Sequence, residues 1–400
     1  MTDRLYYTEP ERRAFRAVVT GCATAPPHFH VTLDATAFYP TSGGQPFDTG
    51  QLGEARVVDV IDRDDDVIVH VVDRPIAMGT AVEGTIDWPR RFDHMQQHTG
   101  QHILSAAFDR LPGAHTTSFH LGADGATIDL AREVQPAEIA RAEAEANRIV
   151  WDNRPVTIRF AEAAEAARLP LRKEPARAGR LRLIDVTDFD LSACGGTHVP
   201  ATGVVGIIAV TGWERFKGGS RIGFVCGGRA LAAHGRLRDV VAALARRLSA
   251  GAADLDATVA RLQDERRERL RQVHRLQDDL AVHRGRALAA SAQAVGGLQV
   301  VLRHEPGLDG GSLKTLAAAI VSHPGLVAVL VGDGGDGEPA PVVIARSADG
   351  SVDASVLLRG LVADLGGRGG GRPELAQGGI QSAAGEILAR LGVRLAAGDV

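Results

Sequence analysis

The first 88 residues alternate between apolar and polar side chains, as strands that bury one face do. Many short strands separated by turns are typical of a closed or nearly closed sheet. We therefore expect a small β-barrel over residues 1–88. The alternation is clearest at 28–33, 56–61 and 67–72, and turn signals lie at 50–53 and 78–80.

Residues 89–228 mix helical and strand periods and predict an α+β domain. One helix is predicted from 90 to 110 and a second from 136 to 151, where Pro136 suits the first turn. A loop over 188–198 follows the central strands. The predicted strands lie at 156–160, 181–186, 204–210 and 222–225.

Residues 229–296 predict a helical arm, with helix running from 228 to about 292. A charged block at 264–269 interrupts its apolar stripe, and the segment 228–292 has 13 arginines against 8 acidic residues. A solvated helical hairpin, a dimer arm and a basic arm that touches nucleic-acid backbone all fit this composition. The apolar residues keep a near-heptad spacing: Leu248, Leu255, Val259, Leu262, Leu270, Val273 and Leu280.

Residues 297–400 alternate strands with helical segments and predict a C-terminal α/β domain. A glycine-rich stretch at 366–379 is predicted as a loop with exposed backbone N–H groups. Its arginines, Arg368 and Arg372, are candidate RNA-binding residues because guanidinium groups pair with phosphates. A flexible linker is the alternative, although a linker would not lead directly into an apolar helix. Strands are predicted at 298–302, 326–331 and 342–344, and the last helix at 380–391.

Composition narrows the classes of function. The 400 residues are 44% hydrophobic and 24% charged, as in ordinary globular proteins, and the net charge of −4 argues against bulk electrostatic binding of nucleic acid. Three cysteines are too few for a disulfide framework. The sequence start lacks the apolar core of a signal peptide, and no apolar run is long enough to span a membrane. We expect a soluble protein of the reducing cytoplasm.

Two short motifs contain candidate metal ligands. His98 and His102 are four residues apart, so on a helix both imidazoles project from one face. Cys194 and His198 repeat that spacing around a pair of glycines. Three imidazoles and one thiolate form a tetrahedral ligand set for Zn²⁺, and such clusters usually bind metal in a reducing compartment. We predict one Zn²⁺ per chain, held by these four residues.

The register of this site and the role of its metal stay open at the level of sequence. His94 lies one helical turn before His98, so the ligand pair can be displaced by a turn. A zinc with four protein ligands is normally structural, whereas a catalytic zinc keeps an open position for water or substrate. No Gly-x-x-x-x-Gly-Lys motif is visible, so ATP-driven chemistry is not indicated.

A glycine-containing motif lies within the predicted barrel, where residues 38–46 read Phe-Tyr-Pro-Thr-Ser-Gly-Gly-Gln-Pro. A glycine pair lets backbone approach a ligand closely, and the side chains of Thr41, Ser42 and Gln45 offer polar groups around that gap. An ordinary Gly-Pro turn is the simpler interpretation of this motif taken alone.

Four motifs together occur in the order found in a known family. They are residues 38–46, Asp87-Trp88 with Arg90-Arg91, His98-x-x-x-His102, and residues 193–198. The chain resembles the editing half of alanyl-tRNA synthetase and, in particular, the long form of the free-standing alanyl-tRNA editing proteins, the AlaX family. The stretch 366–379 is similar to the glycine-rich signature of the C-terminal domain that this family shares with DHH-type phosphoesterases.

The resemblance covers nearly the whole chain. It implies an α+β multidomain protein with a barrel, a zinc-binding editing domain, a helical arm and a glycine-rich C-terminal domain. It also implies hydrolysis of the ester in tRNA(Ala) wrongly charged with serine or glycine. Thr41 or Gln45 is then expected to hydrogen-bond the serine hydroxyl, since the pocket must recognise that group in order to spare alanine. The resemblance assigns zinc ligation to His98, His102, Cys194 and His198, catalysis to Thr41, Gln45, His98 and Cys194, and the aminoacyl pocket to Thr41, Ser42, Gly43, Gly44 and Gln45.

The resemblance and the predicted domains also lead to expectations about partners and to two alternative functions. The helical arm and the C-terminal domain favour tRNA contact and a homodimer, and no membrane partner is expected. Because the barrel begins within the first dozen or so residues, we expect no aminoacylation module and no aminoacylation activity. One rival is a non-catalytic, zinc-stabilised tRNA-binding protein. The other is a DHH-type phosphoesterase, although the aspartate-rich metal module of such enzymes is not present.

Overall fold

The computed structural model describes residues 2–63, 66–172, 179–334 and 338–398. The chain divides into two compact units, residues 1–244 and residues 245–400. Within the described ranges, three hydrophobic clusters lie in the first unit and two in the second. The α+β multidomain class predicted from the sequence is confirmed, whereas the predicted domain limits at 88, 228 and 296 stay predictions.

The first strands of the chain form the predicted small barrel. Six of them close it in the order β2-β3-β7-β6-β5-β8, and the short β1 and β4 pair in parallel. One expectation was wrong: the turn predicted at 50–53 contains β5, which is too short to show an alternating pattern. The strands are β1 (Asp3–Arg4), β2 (Ala14–Ala25), β3 (His28–Leu33), β4 (Ala35–Thr36), β5 (Gly50–Leu52), β6 (Ala55–Asp62), β7 (Ile68–Val72) and β8 (Ala81–Ile86).

The barrel interior contains a fully buried histidine, His70 on β7. Its Nδ1 lies 3.2 Å from the carbonyl oxygen of Val31, and its Nε2 lies 2.8 Å from the hydroxyl of Thr36. Nδ1 therefore donates to Val31 and Nε2 accepts from Thr36, which is the pattern of a neutral ring. Burial lowers the pKa of His70 to about 4.

This buried histidine predicts a loss of stability in mild acid. The pKa of His70 falls from 6.5 to about 4 on folding, so lowering the pH from 7 to 5 protonates the unfolded chain and leaves the folded one neutral. Between pH 7 and pH 5 the protonation of His70 in the unfolded chain should lower the free energy of unfolding by about 2 kcal/mol. His70→Asn should lack this pH-dependent contribution.

Tryptophan fluorescence during urea unfolding at both pH values measures this effect. Trp88, Trp151 and Trp213 are the three tryptophans, and all lie in the first unit. An equal loss of stability between pH 7 and pH 5 in wild type and His70→Asn would contradict the prediction.

The rest of the first unit combines helices with two antiparallel sheets. The sheets have the orders β14-β15-β10-β9 and β11-β12-β13, and α1 and α2 share a hydrophobic core with the four-stranded sheet. The elements are α1 (Trp88–Arg110), β9 (Thr116–Leu121), β10 (Ala126–Leu130), α2 (Pro136–Trp151), β11 (Val156–Ala161), α3 (Ala163–Ala166), β12 (Leu181–Val186), β13 (Asp190–Ala193), β14 (Ile208–Phe216) and β15 (Gly219–Cys226).

Both long helices begin at recognisable signals. Asp87 precedes α1 and its carboxylate accepts from the backbone of Arg90, while α2 begins at Pro136 with a capping box. The strand predicted at 204–210 was wrong at its start: the backbone forms a 3-10 turn there and β14 begins at Ile208. Gly206, with a φ of +82°, separates the turn from the strand.

The predicted helical arm consists of α4 (Gly227–Leu248) and α5 (Leu255–Ala289). The helix predicted to run from 228 to about 292 is interrupted after Leu248, where Ser249 has a positive φ of 49°, so the segment contains two helices. Many apolar side chains of α5 are exposed, and a homodimer through this stripe stays a prediction. The exposed fractions of these α5 side chains are Val259 43%, Leu262 41%, Leu270 49%, Val273 49% and Leu280 56%.

In the ranges that the structure describes, no helix is both long and apolar enough to cross a membrane.

The second unit contains a six-stranded sheet in the order β16-β17-β18-β19-β21-β20, with helices on both faces. Only β17 and β18 are parallel. The strands predicted at 298–302, 326–331 and 342–344 lie within β17, β18 and β19. The elements are β16 (Gln293–Val295), β17 (Leu298–His304), α6 (Gly310–Val321), β18 (Leu326–Val331), β19 (Ala340–Arg346), α7 (Ala354–Leu365), β20 (Gly367–Arg372), β21 (Leu375–Ile380) and α8 (Ala384–Ala397).

The glycine-rich stretch at 366–379 is a β-hairpin, so its prediction as a loop was wrong. Its glycines allow close packing within the chain. A Cβ at Gly369 would lie 2.6 Å from Cα of Gly378, and a Cβ at Gly371 would lie 2.3 Å from the carbonyl oxygen of Leu375. Glycine composition favours loops, but here it permits two strands and α7 to approach closely.

Candidate metal centre

The two predicted ligand pairs meet between α1 and the loop after β13. The ligand atoms of His98, His102, Cys194 and His198 all lie within 4.8 Å of one another. The Cys194 sulfur is 3.4 Å from Nε2 of His98 and 3.4 Å from Nε2 of His198. The three histidines are buried and Cys194 is half-buried, so the cysteine is the most accessible member. These four residues form a cluster that could hold a metal ion.

The donor set and its spacing fit Zn²⁺. With bonds of about 2.0 Å to nitrogen and about 2.3 Å to sulfur, neighbouring ligands in a tetrahedral site lie about 3.3–3.6 Å apart. Both sulfur–nitrogen distances agree with that edge length. His94 is outside the cluster, and its buried Nδ1 has no partner among the described residues. The register proposed from the sequence, with His98 and His102, is therefore the one that the structure brings together.

Local backbone explains how the loop reaches the helix. His98 and His102 lie one turn apart on α1 and face the same side. A Cβ at Gly196 would lie 2.2 Å from Cε1 of His98, so only glycine allows the loop to pass this close to the imidazole. The N–H of Gly196 also lies 3.3 Å from the Cys194 sulfur.

The first imidazole is fixed by Gln45, whose side chain is completely buried. Its Oε1 lies 2.8 Å from Nδ1 of His98 and accepts from the N–H of Thr197 at 3.1 Å, while its Nε2 donates to the Thr197 hydroxyl at 2.8 Å. Nδ1 of His98 is thus the protonated nitrogen, which leaves Nε2 free for a metal. The resemblance implied that Gln45 lines the aminoacyl pocket; in the structure its side chain is buried, and three hydrogen bonds join it to His98 and Thr197.

The second imidazole is fixed by a carboxylate. Nδ1 of His102 lies 3.1 Å from Asp190, which also accepts from Arg172 at 2.6 Å and from Ser192 at 2.9 Å. A histidine that donates to a carboxylate while its other nitrogen faces a metal is a recurrent arrangement in zinc proteins. The sequence pattern did not identify Asp190, Arg172 or Ser192.

The third imidazole is fixed by a hydroxyl. Nδ1 of His198 lies 3.2 Å from Oγ1 of Thr99, and that oxygen also accepts from the N–H of Val199 at 3.1 Å. Each histidine of the cluster therefore has its Nδ1 occupied by a different side chain, and each Nε2 is available to the metal.

Electrostatics favour a thiolate in this cluster. Burial opposes ionisation of Cys194, but the imidazoles of His98 and His198 hold the pKa of its thiol well below the ordinary value. Burial alone would lower the pKa of His102, yet hydrogen bonds with Asp190 and Cys194 raise it to about 9. Burial lowers the pKa of His198 to about 3. A metal ion therefore meets a thiolate and must displace a proton from His102.

The support from Gln45 predicts a change in metal affinity. Gln45→Leu keeps an apolar stem but removes the acceptor for Nδ1 of His98, so zinc affinity should fall roughly 10- to 100-fold. Competition with a fluorescent zinc chelator measures that affinity. Gln51→Leu changes an exposed glutamine of the same barrel and is the matched control. Equal affinities in the two variants would contradict a supporting role for Gln45.

The remaining residues of the predicted pocket precede Gln45 in the same loop. Thr41 is exposed, and its hydroxyl accepts from the N–H of Phe47 at 3.2 Å. Gly43 is also exposed and has a φ of +58°, while a Cβ at Gly44 would lie 2.8 Å from the Phe119 ring. The glycine pair therefore lets this loop pack against Phe119, which contacts His98, with ring centroids 5.3 Å apart. Ser42 is half-buried, and its carbonyl oxygen accepts from the hydroxyl of Tyr39.

A buried ion pair attaches this loop to α1. Arg91 and Asp48 are both completely buried, and Nε of Arg91 lies 3.0 Å from the carboxylate. The same guanidinium donates to the carbonyl oxygens of Pro10 at 2.8 Å and Ala37 at 2.6 Å, and Asp48 accepts from the N–H of Tyr39 at 2.7 Å. The pair therefore holds the barrel, the loop with Gln45 and the metal-binding helix in one arrangement.

The predicted RNA-binding arginines lie on β20 of the second unit. Arg368 and Arg372 are four residues apart and so lie on one face of the strand, and both are exposed. Neither forms a salt bridge with a described residue. Gly370 lies between them, and a Cβ there would meet no atom within 4 Å, so this face of the hairpin is open.

Three family profiles match the chain. Residues 18–90 match tRNA synthetases class II (A), and residues 181–223 match the threonyl and alanyl tRNA synthetase second additional domain. Residues 291–395 match the DHHA1 domain. The second of these segments includes Cys194 and His198, and the third includes Arg368 and Arg372.

Curated relatives extend the similarity over nearly the whole chain. The chain is 33% identical to an alanine–tRNA ligase of Pyrococcus abyssi over 95% of its own length and 42% of that protein. It is 34% identical to an alanine–tRNA ligase of Methanoregula boonei over 94% of its length and 41% of that protein. The chain thus spans about two fifths of the length of these relatives.

A solved structure also matches part of the chain. The crystal structure of the C-Ala domain from Aquifex aeolicus alanyl-tRNA synthetase is 25% identical over 26% of this chain and 97% of that domain, with a TM-score of 0.24. The matches to the second additional domain, to the DHHA1 domain and to alanine–tRNA ligases agree with the order of motifs in the sequence. The chain is therefore similar, over nearly its whole length, to part of alanine–tRNA ligases, and it contains segments similar to the second additional domain and to the DHHA1 domain.

Proposed function

We propose that this chain hydrolyses the ester bond of tRNA(Ala) wrongly charged with serine, with glycine as the second candidate amino acid. The proposal depends mainly on the braced cluster of three histidines and one cysteine, since two of its members lie in the segment that matches the second additional domain. The similarity to alanine–tRNA ligases supports tRNA(Ala) as the RNA. Such a substrate places the protein in the cytoplasm.

The reaction requires little from the protein beyond positioning. A water oxygen bonds to the ester carbonyl carbon, and the carbonyl oxygen carries negative charge until the bond to the terminal ribose breaks. The ribose oxygen then takes the proton that the attacking water has lost, so the products are free serine and tRNA with a 3′ hydroxyl. Aminoacyl esters are labile, so orientation and stabilisation of that charge can supply the acceleration. Zinc held by His98, His102, Cys194 and His198 would supply a Lewis acid beside the ester.

The described residues support a rigid site for this reaction. Gln45, Asp190 and Thr99 each fix one imidazole, so the cluster does not have to reorganise when substrate arrives. Cys194 is the accessible member and marks the side from which an aminoacyl ester can approach. We assign Gln45 to support of the ligands and keep Thr41, His98 and Cys194 as candidate catalytic residues.

Recognition of the serine hydroxyl falls to Thr41 in this proposal. The side chain of Gln45 is completely buried and makes three hydrogen bonds. Thr41 is exposed, and its hydroxyl accepts from Phe47 and donates to no described residue. Thr41→Val keeps the shape of the side chain and removes the hydroxyl, so the preference for serine over alanine should fall about tenfold, the equivalent of one hydrogen bond. The ratio of kcat/KM for Ser-tRNA(Ala) and Ala-tRNA(Ala) measures this preference, and an unchanged ratio excludes Thr41.

Contact with the body of the tRNA is proposed for the second unit. Arg368 and Arg372 present two guanidiniums on an open strand face, where neither forms a salt bridge with a described residue, an arrangement suited to successive phosphates of one RNA backbone. The exposed apolar stripe of α5 is the proposed surface for a homodimer.

Aminoacylation is not part of the proposed activity. The described residues form a barrel, a metal cluster and a C-terminal sheet, and the proposal gives none of them a role in activating alanine. An assay of alanine-dependent exchange between ATP and pyrophosphate tests this point. Exchange above the background without alanine would refute it.

A second candidate function is a non-catalytic tRNA-binding protein in which zinc only stabilises the fold. Its support is the number of candidate ligands, because four protein ligands normally close a zinc site. Rates of amino-acid release from Ser-, Gly- and Ala-tRNA(Ala) separate the two functions. The deacylase should release serine faster than alanine, whereas the binding protein should retain all three aminoacyl-tRNAs intact.

A further inference from the structure

A buried arginine lies under the Cys194 loop. Arg182 on β12 is only 7% exposed. Its Nη1 donates to the carbonyl oxygens of Cys194 at 2.7 Å and Gly196 at 2.9 Å, and its Nε donates to the carbonyl oxygen of Tyr7 at 2.8 Å. One guanidinium therefore fixes two peptide groups of the loop that supplies a candidate metal ligand.

This arginine is used differently from the other buried arginine of the first unit. Arg91 pairs with Asp48, whereas Arg182 forms no salt bridge with any carboxylate in the described ranges, and its Nη2 has no partner there. A buried cation is costly unless its surroundings compensate it. The acceptors of Arg182 are backbone carbonyl oxygens, so its guanidinium fixes the orientation of the loop instead of pairing with a carboxylate.

The orientation of these carbonyls decides where the neighbouring N–H groups point. The peptide bonds of the loop are trans, so each N–H is directed away from the carbonyl of the preceding residue. The N–H of Thr197, which follows Gly196, points to Oε1 of Gln45, the atom that holds His98. The N–H of Gly195, which follows Cys194, is directed away from Arg182 in the same way.

The Gly195 N–H is the donor that this arrangement leaves free. Among the described residues it has no hydrogen-bond acceptor. Gly195 is exposed and directly follows Cys194, the most accessible member of the cluster. Tyr7 borders it, because a Cβ at Gly195 would lie 3.7 Å from the Tyr7 hydroxyl, an ordinary contact distance.

We propose that Arg182 is a positioning residue that holds the Gly195 N–H as a donor to the ester carbonyl oxygen during deacylation. This inference rests on the proposed deacylase function. When the water oxygen bonds to the carbonyl carbon, the C=O π electron pair moves onto the carbonyl oxygen, and the fixed N–H stabilises the negative charge there. The C=O double bond forms again as the bond to the ribose oxygen breaks, and the ribose oxygen takes the proton that the water has lost. A donor fixed in advance contributes to the rate because it does not reorganise during the reaction.

The test compares two substitutions at Gly195. Gly195→Ala keeps the N–H and adds a methyl group for which there is room, whereas Gly195→Pro removes the N–H. We expect kcat for Ser-tRNA(Ala) to be about 100-fold lower in Gly195→Pro than in Gly195→Ala, with KM and zinc content alike in the two variants. Arg182→Lys lacks the planar guanidinium that holds both carbonyl oxygens and should lower kcat about tenfold. Arg159→Lys, on the exposed neighbouring strand, is the control and should leave kcat unchanged.

Binding of two adenosine analogues gives a second readout. One carries serine on a 3′ amide and resembles the substrate; the other carries an anionic tetrahedral phosphonate at the same place. Gly195→Pro and Arg182→Lys should lose affinity for the phosphonate and keep affinity for the amide. If Gly195→Pro does not retain zinc, the ratio of phosphonate affinity to amide affinity in Arg182→Lys tests the inference instead.

Each outcome bears on a different claim. If wild type releases serine and Gly195→Pro matches Gly195→Ala in kcat and in phosphonate affinity, the inference is overturned and the deacylase function stands. An unchanged affinity ratio in Arg182→Lys likewise overturns the role of Arg182. If wild type releases no serine from Ser-tRNA(Ala), the proposed function fails and this inference fails with it.

Discussion

Replacing Cys194 with alanine should remove the bound zinc and lower serine release from Ser-tRNA(Ala) by more than 100-fold. Loss of a supporting residue typically costs a metal site about 10- to 100-fold in affinity or activity, and loss of a ligand costs more. Cys194 is also the only thiolate of the four-residue cluster, so its loss leaves three neutral imidazoles around the ion. Metal content after dialysis, measured by atomic emission, and serine release by the same sample check this prediction.

Cys22 provides the matched control for this substitution. It is an exposed cysteine of the barrel strand β2 and lies outside the cluster. Cys22→Ala should keep both zinc and activity. If Cys194→Ala behaved like Cys22→Ala, the cluster would not be the metal site.

Asp48→Asn should destabilise the first unit by about 3–5 kcal/mol, the usual cost of breaking a buried ion pair on one side. The substitution leaves the guanidinium of Arg91 completely buried without a carboxylate. Because the pair joins α1 to the loop with Gln45, weaker zinc binding should accompany the lower stability. Urea unfolding followed by tryptophan fluorescence gives the free energy of unfolding.

An exposed ion pair of the same unit is the control for the stability effect of the buried pair. Arg159 and Asp185 form a salt bridge of 3.2 Å across two strands, with 48% and 26% of the side chains exposed. Asp185→Asn should change stability by less than about 1 kcal/mol. Similar effects of Asp48→Asn and Asp185→Asn would contradict the account of the buried pair.

The sequence predicted those parts of the structure that depend on local pattern. The helix predicted at 90–110 is α1 (Trp88–Arg110), and the helix predicted at 136–151 is α2 (Pro136–Trp151). His98 and His102 share a face because four residues make about one helical turn. The strand at 326–331 was found as predicted because its continuous apolar run is buried on both faces.

Local pattern failed where tertiary packing overrides composition. The stretch 366–379 contains enough glycine to favour a loop, yet it forms two paired strands, and at Gly369 and Gly371 the surrounding atoms leave no room for a side chain. The helical arm was predicted without its break, because an apolar stripe does not show where α4 ends and α5 begins.

The support of the metal cluster could not be predicted from one sequence. The residues that fix the three imidazoles lie 53, 88 and 99 positions away from them, so no local spacing connects them. Asp190 precedes Cys194 in the loop region and could have been suspected from the carboxylate–histidine–zinc pattern. Gln45 was identified as functional, but its burial gives it a different role from the one that the resemblance implied.

Removal and return of zinc decides whether the activity of the cluster depends on the metal. The protein is stripped of metal with a chelator, reloaded with one equivalent of Zn²⁺, and mixed with Ser-tRNA(Ala) or Ala-tRNA(Ala). The cluster of His98, His102, Cys194 and His198 predicts that the stripped protein releases serine no faster than buffer does. Reloading should restore serine release while Ala-tRNA(Ala) stays charged. Equal serine release with and without zinc, or none after reloading, would contradict a zinc-dependent editing site.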